Sequence, residues 1–224
     1  MAEAGRTTLL HAEAAFLARY LKTLVDWDAR ASVRVQHTGR AMGVFGSPPT
    51  GCITFIALPL AVVGELNPPV ADRTVSAGRL RDIVGDVSYD RGPIVMAMPD
   101  AVTGPAELAV LPPGAGWELV GNGGAAGELG AVVDESIAEF RRRVPTNTGA
   151  EISQRTAEEI WSKPGWSGLP VRTLHTARKL GFLSNADAPV KAAKAPGWTR
   201  LATPSGQVFT SDQIGNLSLN LIFD

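Results

Sequence analysis

Three aspartates crowd one stretch of the chain, and closely spaced carboxylates are a common source of acid–base catalysis. Asp82, Asp86 and Asp90 recur every four residues and are followed by Arg91. One hypothesis is therefore a hydrolase that uses a carboxylate pair from this segment. Such a run of charges is also typical of a solvated turn, and the G-x-S-x-G pattern of a serine nucleophile does not occur in the sequence. We therefore expect binding rather than catalysis.

The histidines and the cysteine do not have the spacing of metal ligands. His11, His37 and His175 are scattered, without an H-x-x-x-H pair. Cys52 is the sole cysteine, which excludes an intramolecular disulfide and a zinc site built from several thiolates. No metal and no cofactor are predicted.

A glycine-rich segment at residues 121–126, Gly-Asn-Gly-Gly-Ala-Ala, matches the G-x-G-x-x-A form of the dinucleotide-binding fingerprint. That chemistry requires backbone amides at a helix N-terminus to hold a pyrophosphate, followed by a second apolar strand that ends in an acidic residue. Residues 145–155 are polar, so this second strand is not predicted. We interpret the segment as a flexible interdomain linker.

The charge distribution along the 224 residues is uneven. Residues 1–140 hold ten basic and sixteen acidic side chains, whereas residues 141–200 hold eleven and four. A hydrophobic content of 45% excludes a collagenous or disordered chain. The basic segment favours contact with a polyanion, although charge clustering on a solvated face gives the same pattern.

The elements that must position these residues fall into two groups, which predict an α+β protein. In residues 1–123, a helix over 7–27 precedes short strands at 32–38, 41–45 and 52–60. Further strands are predicted at 74–77, 93–98, 107–111 and 117–120, with a short helix at 76–84. We expect a mostly antiparallel sheet covered by helices in this first domain.

Residues 124–224 are predicted to form a second, helical domain. Leu129, Val133, Ile137, Phe140 and Val144 recur at steps of three and four, which is typical of an amphipathic helix. Two further helices are predicted at 154–162 and 170–181. A long connection over 184–197 leads to a hairpin that joins 198–202 to 207–210.

This order, with a basic third helix, resembles the winged helix-turn-helix module of DNA-binding proteins. Residues 169–183, Leu-Pro-Val-Arg-Thr-Leu-His-Thr-Ala-Arg-Lys-Leu-Gly-Phe-Leu, look like its recognition helix and exit. The resemblance implies that this helix enters the major groove while the hairpin wing contacts the backbone. It implies DNA contact for side chains of the helix and one cation of the wing: Arg172, Thr173, His175, Thr176, Lys179 and Arg200.

Two other groups of residues have both a binding and a structural interpretation. The arginines 141–143 offset the negative end of the helix dipole, or else contact phosphate. Trp117, Trp166 and Trp198 each follow a glycine, and such residues either stack on unpaired bases or anchor a loop in the core.

The sequence therefore predicts a cytoplasmic, non-catalytic protein that regulates transcription by binding double-stranded DNA, and that forms a homodimer. No membrane span is expected, because the longest apolar stretch, 52–64, is too short. The alternative is a protein-interaction or small-molecule-binding module whose helical part is structural. It is motivated by the first helix, where Leu9, Phe16 and Tyr20 widen the apolar face enough to meet a partner.

Overall fold

The computed structural model describes residues 6–38, 40–61, 72–85, 92–146 and 148–212, which form ten strands and five α-helices. The predicted α+β class is confirmed. The chain has two compact units, one made of residues 1–47 and 55–110 and the other of 48–54 and 111–224. The boundary predicted between residues 123 and 124 falls inside a strand. The division into domains at 1–123 and 124–224 stays a prediction.

In the described part of the first unit there are six strands and two α-helices. Four strands form an antiparallel layer in the order β5-β2-β3-β4, and β1 pairs with β6 separately. The residues of β4 that precede Phe55 belong to the second unit. The elements are β1 (Arg6–Leu9), α1 (His11–Trp27), β2 (Ser32–His37), β3 (Ala41–Gly46), β4 (Ile53–Pro59), β5 (Asp72–Ser76), α2 (Ala77–Gly85) and β6 (Ile94–Ala97).

Helix α1 forms where its leucines recur on one face, and this face is covered within the first unit. Leu17, Leu21 and Leu24 are buried, and α1 packs closely against α2, whose Leu80 is also buried. Val33 and Val35 alternate into the same core from β2. Of the three residues expected to widen this face, Tyr20 is buried, Phe16 is half-buried and Leu9 belongs to β1.

The described residues of the second unit combine three α-helices with an antiparallel layer of four strands in the order β10-β9-β8-β7. Phe140 of α3, Ile160 and Trp161 of α4 and Val171 of α5 form one apolar cluster between the helices. The elements are β7 (Glu118–Ala125), α3 (Ala126–Arg143), α4 (Ala150–Ser162), α5 (Val171–Lys179), β8 (Pro189–Ala195), β9 (Trp198–Thr203) and β10 (Gly206–Ser211).

The winged-helix interpretation is wrong, for two structural reasons. The predicted connection at 184–197 contains strand β8, so the hairpin of β9 and β10 lies inside a larger sheet and is not a free wing. Every residue of α5 from Val171 to Ala177 is buried, whereas a recognition helix must expose one face to the groove.

Two smaller predictions also differ from the structure. The strand predicted at 107–111 is a 3-10 turn, Ala106–Leu108, and the start of the predicted first helix is strand β1. Among the residues that are described, no helix is long and apolar enough to span a bilayer.

Candidate functional site

Four of the six predicted DNA-contacting residues lie together on α5, below the surface. Arg172 and His175 are 5% and 6% exposed, and Thr173 and Thr176 are fully buried. Lys179 is exposed at the end of the helix, and Arg200 is half-buried on β9. Contact of these six residues with DNA stays a prediction, but only Lys179 is well exposed to solvent.

The buried threonines of α5 are held by hydroxyl partners from distant parts of the second unit. The Oγ1 of Thr173 lies 2.7 Å from that of Thr210 on β10. The Oγ1 of Thr176 lies 2.8 Å from Thr50 Oγ1 and 3.6 Å from Cys52 Sγ. Burial raises the pKa of the Cys52 thiol, so this cysteine is a neutral packing group and not a nucleophile. These contacts of Thr173 and Thr176 hold the polar face of α5 in the interior of the second unit.

Arg172 and His175 occupy the other side of α5, against α4. Arg172 donates from Nη2 to the Ser162 hydroxyl, while its Nε and Nη1 have no partner among the described residues. The His175 ring lies 4.5 Å from the Trp161 ring, centroid to centroid. Burial, with smaller contributions from nearby Lys179 and Arg178, lowers the pKa of His175 to about 4. At neutral pH this imidazole is uncharged and cannot attract phosphate.

Several exposed cations on or next to the helices of the second unit pair with carboxylates. Arg178 lies 2.6 Å from Asp134, and Arg143 pairs with both Glu139 and Glu159. Lys163 also lies 2.7 Å from Glu139, and its hydrogen bond is the main cause of the lowered pKa of that carboxyl. These ion pairs reduce the positive charge that the basic segment can offer to phosphate, while Arg141, Arg142 and Lys179 are exposed cations outside these pairs.

The glycine-rich segment 121–126 is not a linker. Most of it belongs to β7, where the pairing with β8 shifts register between Val120 and Gly124. At the start of α3, a Glu128 carboxylate oxygen accepts a hydrogen bond from the Ala125 amide at 3.1 Å. The other oxygen accepts one from Trp166 Nε1 at 3.2 Å. A carboxylate thus occupies the helix N-terminus that a pyrophosphate would need.

The predicted carboxylate pair is only partly visible. Asp82 is exposed and pairs with the neighbouring Arg81 at 2.8 Å, while Asp86, Asp90 and Arg91 lie outside the described residues. Within the described ranges, no three His, Cys, Asp or Glu side chains are grouped as metal ligands.

The opposite face of the sheet in the second unit carries a stacked group that sequence reasoning did not assemble. The guanidinium carbon of Arg200 lies 4.6 Å from the centre of the Trp117 ring, and this ring lies 5.6 Å from that of Phe209. Strand pairing places Phe209, Arg200, Ala193 and Leu119 side by side in one row. Thr210, one residue from Phe209, points to α5, so this row faces away from the helices.

We call this surface the outer sheet face and define it by Trp117, Leu119, Lys191, Ala193, Arg200 and Phe209. Leu119 is 65% exposed and Lys191 is exposed, Trp117 and Arg200 are half-buried, and Phe209 and Ala193 are buried. The part of this face that a partner could reach is therefore made by Leu119, Lys191, Trp117 and Arg200. The alternation of side chains along β9 and β10 could have placed Arg200 and Phe209 on one face of the sheet. Leu119 lies on β7, which was predicted too short, and Lys191 lies on β8, which was not predicted.

Comparison with protein families matches each half of the chain separately. Residues 4–106 match a family of domains of unknown function, DUF8010, and residues 112–214 match a second one, DUF8185. A comparison with curated proteins finds no match.

Comparison with solved structures shows a fold like that of bacterial DNA polymerase sliding clamps. A Pseudomonas aeruginosa clamp bound to griselimycin is 11% identical, with a TM-score of 0.55 over 99% of this chain and 66% of the clamp. A Caulobacter crescentus clamp is 13% identical, with a TM-score of 0.54 over 97% of this chain and 66% of that one. A Helicobacter pylori clamp bound to a DNA ligase peptide is 9% identical, with a TM-score of 0.54 and coverages of 98% and 66%.

The chain thus spans just under two thirds of the length of these clamps. Their fold, and not that of winged-helix proteins, extends over nearly all of it. The interpretation as a transcription-regulating protein with a basic helix and wing is therefore wrong.

Proposed function

We propose that this protein is a clamp-fold scaffold that binds a protein partner and performs no chemistry of its own. The observation that carries the proposal is the likeness to sliding clamps over 97–99% of the chain. One of these clamps is bound to a peptide from DNA ligase, so the fold can present a surface to a segment of another protein.

The charges of the described helices favour a protein partner over duplex DNA. A protein that binds the phosphate backbone of duplex DNA needs several unpaired Lys or Arg side chains directed at phosphates. Here the cations of Arg143, Lys163 and Arg178 are held by carboxylates and Arg172 is buried, which leaves Arg141, Arg142 and Lys179 as the exposed cations of α3 and α5 outside these pairs. A partner would therefore be recognised by apolar contacts and a few charges, as at protein interfaces.

Self-association is part of the same proposal. Strand β7 pairs only with β8 among the described strands, so its other edge offers backbone groups to a strand from another chain. The register shift in β7 limits such pairing to its first residues. A cytoplasmic location stays a prediction.

The test is to identify a partner and determine what holds the complex together. The full chain is used to capture proteins after nuclease treatment and at 500 mM salt, on the order of several times physiological ionic strength. The captured protein is then purified, and binding is measured by calorimetry. We expect a stoichiometric complex whose affinity decreases far less with salt than DNA binding does, because apolar burial is insensitive to screening.

The matching DNA experiment uses fluorescence anisotropy with a labelled duplex. We expect weak binding, and the substitution Lys179→Ala should leave its salt dependence unchanged. A steep decrease of DNA affinity with salt, together with no nuclease-resistant complex, would contradict the proposal.

A further inference from the structure

We propose that the outer sheet face is the docking site for an acidic segment of the partner protein that also carries apolar side chains. This inference rests on the proposed function, because it assigns to the scaffold both the surface and the chemistry of what it binds.

The outer sheet face combines apolar surface with positive charge. Leu119, at 65%, is among the most exposed large apolar side chains of the described residues. In the same cross-strand row lies Arg200, and Lys191 is exposed on the same side of β8. Apolar side chains framed by charged ones are typical of protein interaction surfaces.

The outer sheet face lacks carboxylates of its own among the described strand residues. Glu118, the acidic residue of β7, precedes Leu119 and so points to the opposite face. Strands β8, β9 and β10 contain no aspartate or glutamate. The positive charges of Arg200 and Lys191 therefore remain available for carboxylates of a partner, unlike those of Arg143, Lys163 and Arg178.

The Arg200 side chain is held in place before any partner binds. Its guanidinium rests on the Trp117 indole, and the indole Nε1 donates to the Pro113 carbonyl at 2.8 Å. The Arg200 Nε is buried and has no partner among the described residues. A cation fixed in this way loses little side-chain entropy when it binds a carboxylate.

The outer sheet face suits a peptide better than single-stranded nucleic acid, which also binds at aromatic and basic surfaces. Base stacking needs a free aromatic face. One face of the Trp117 ring is covered by Arg200, and the ring also contacts Phe209. The exposed apolar group is instead the aliphatic Leu119, which favours an apolar amino-acid side chain.

The experiment selects peptides from a phage-displayed random library on the immobilised full chain. We expect enrichment of sequences with Asp or Glu next to leucine, isoleucine or an aromatic residue. The best peptide is then synthesised, and its affinity is measured for the wild type and two surface variants, Leu119→Glu and Lys191→Glu. Each variant should weaken binding about tenfold or more, because each opposes the acidic peptide with a like charge.

Two matched controls carry the same chemical changes elsewhere on the second unit. Ile152 is 60% exposed on α4 and Lys179 is exposed on α5, both away from the outer sheet face. Ile152→Glu and Lys179→Glu should leave the peptide affinity unchanged. Circular dichroism and thermal unfolding of all four variants verify that they are folded.

The possible outcomes separate this inference from the proposed function. Peptides that bind equally well to wild type and Leu119→Glu would overturn the docking surface but leave the scaffold proposal intact. Basic peptides, or competition by a single-stranded oligonucleotide, would overturn the assigned partner chemistry. If a purified partner binds but no peptide is enriched, the partner uses a different surface, and the inference is also wrong.

Discussion

The hydroxyl oxygens of Thr173 and Thr210 lie 2.7 Å apart and join α5 to β10 in the core of the second unit. Both side chains are buried, so neither hydroxyl can exchange this partner for bulk water. The contact explains why a helix with a polar sequence lies against a sheet. The hydroxyls of Thr173 and Thr176 find partners inside the protein, and burying a polar group costs little when it is hydrogen-bonded.

Removing one hydroxyl of this pair should destabilise the protein. We expect Thr173→Val to lower the free energy of unfolding by about 1–2 kcal/mol, because the Thr210 hydroxyl is then left buried without this bond. Urea denaturation measures the change. The double variant Thr173→Val/Thr210→Val should lose less than the sum of the single changes. Strictly additive losses would show that the two hydroxyls are not coupled.

Protonation of His175 should destabilise the protein in mild acid. Its pKa is lowered from 6.5 to about 4 in the folded state, so the unfolded chain binds the proton more readily. Stability is complete above pH 6.5 and decreases as the pH falls toward 4, by up to about 3 kcal/mol. Thermal unfolding of wild type and His175→Gln between pH 4 and 7 measures the difference. Equal pH slopes for the two proteins would contradict the burial of a neutral imidazole.

Much of the secondary structure could be predicted, because it follows from local periodicity. The steps of three and four that predict α3 place Leu129, Val133 and Phe140 in the core. Strand β8 was missed because its sequence, Pro-Val-Lys-Ala-Ala-Lys-Ala, is rich in residues with weak strand propensity. Its pairing with β7 and β9, not its own composition, makes it a strand.

The site could not be predicted, because it depends on contacts between residues far apart in the chain. The sequence shows that Thr173 and Thr176 are polar, and polar residues are usually exposed. Their burial follows from Thr210 and Thr50, which lie 37 and 126 positions away. The outer sheet face likewise forms only when β7, β8, β9 and β10 come together. Arg200 was predicted as a binding residue, but its stacking on Trp117 required the structure.

The ion pair of Arg34 and Asp72 should contribute more than the surface ion pairs do. Arg34 donates to both Asp72 oxygens at 2.7 and 2.6 Å and to the Leu108 carbonyl at 2.7 Å. Chiefly through this hydrogen bond, the pKa of Asp72 lies below its ordinary value. The stabilisation is therefore present above pH 3.8 and decreases as the pH falls below it.

We expect Arg34→Met to lower the free energy of unfolding by about 1 kcal/mol, a figure reduced because the pair is partly exposed to solvent. The matched control is Lys22→Met, which breaks the more exposed Lys22–Asp26 pair on α1. That change should cost only about 0.3 kcal/mol. Chemical denaturation at pH 7 compares the two variants, and equal losses would argue against a special role for Arg34.

A methyl group at Gly206 should disrupt the turn between β9 and β10. A Cβ built there would lie 2.6 Å from Phe182 Cζ and 2.7 Å from Cε2, and the Phe182 ring is buried, so it has little room to move. We expect Gly206→Ala to destabilise the protein by about 1–3 kcal/mol, the usual cost of overpacking. Gly114→Ala is the control, because a Cβ there meets no atom within 4 Å.

Replacing Phe182 by leucine in the Gly206→Ala background should recover part of the loss, since the smaller side chain relieves the clash. Thermal and urea unfolding of the three variants test this directly, and a Gly206→Ala protein as stable as wild type would show that the ring does not pack on this turn.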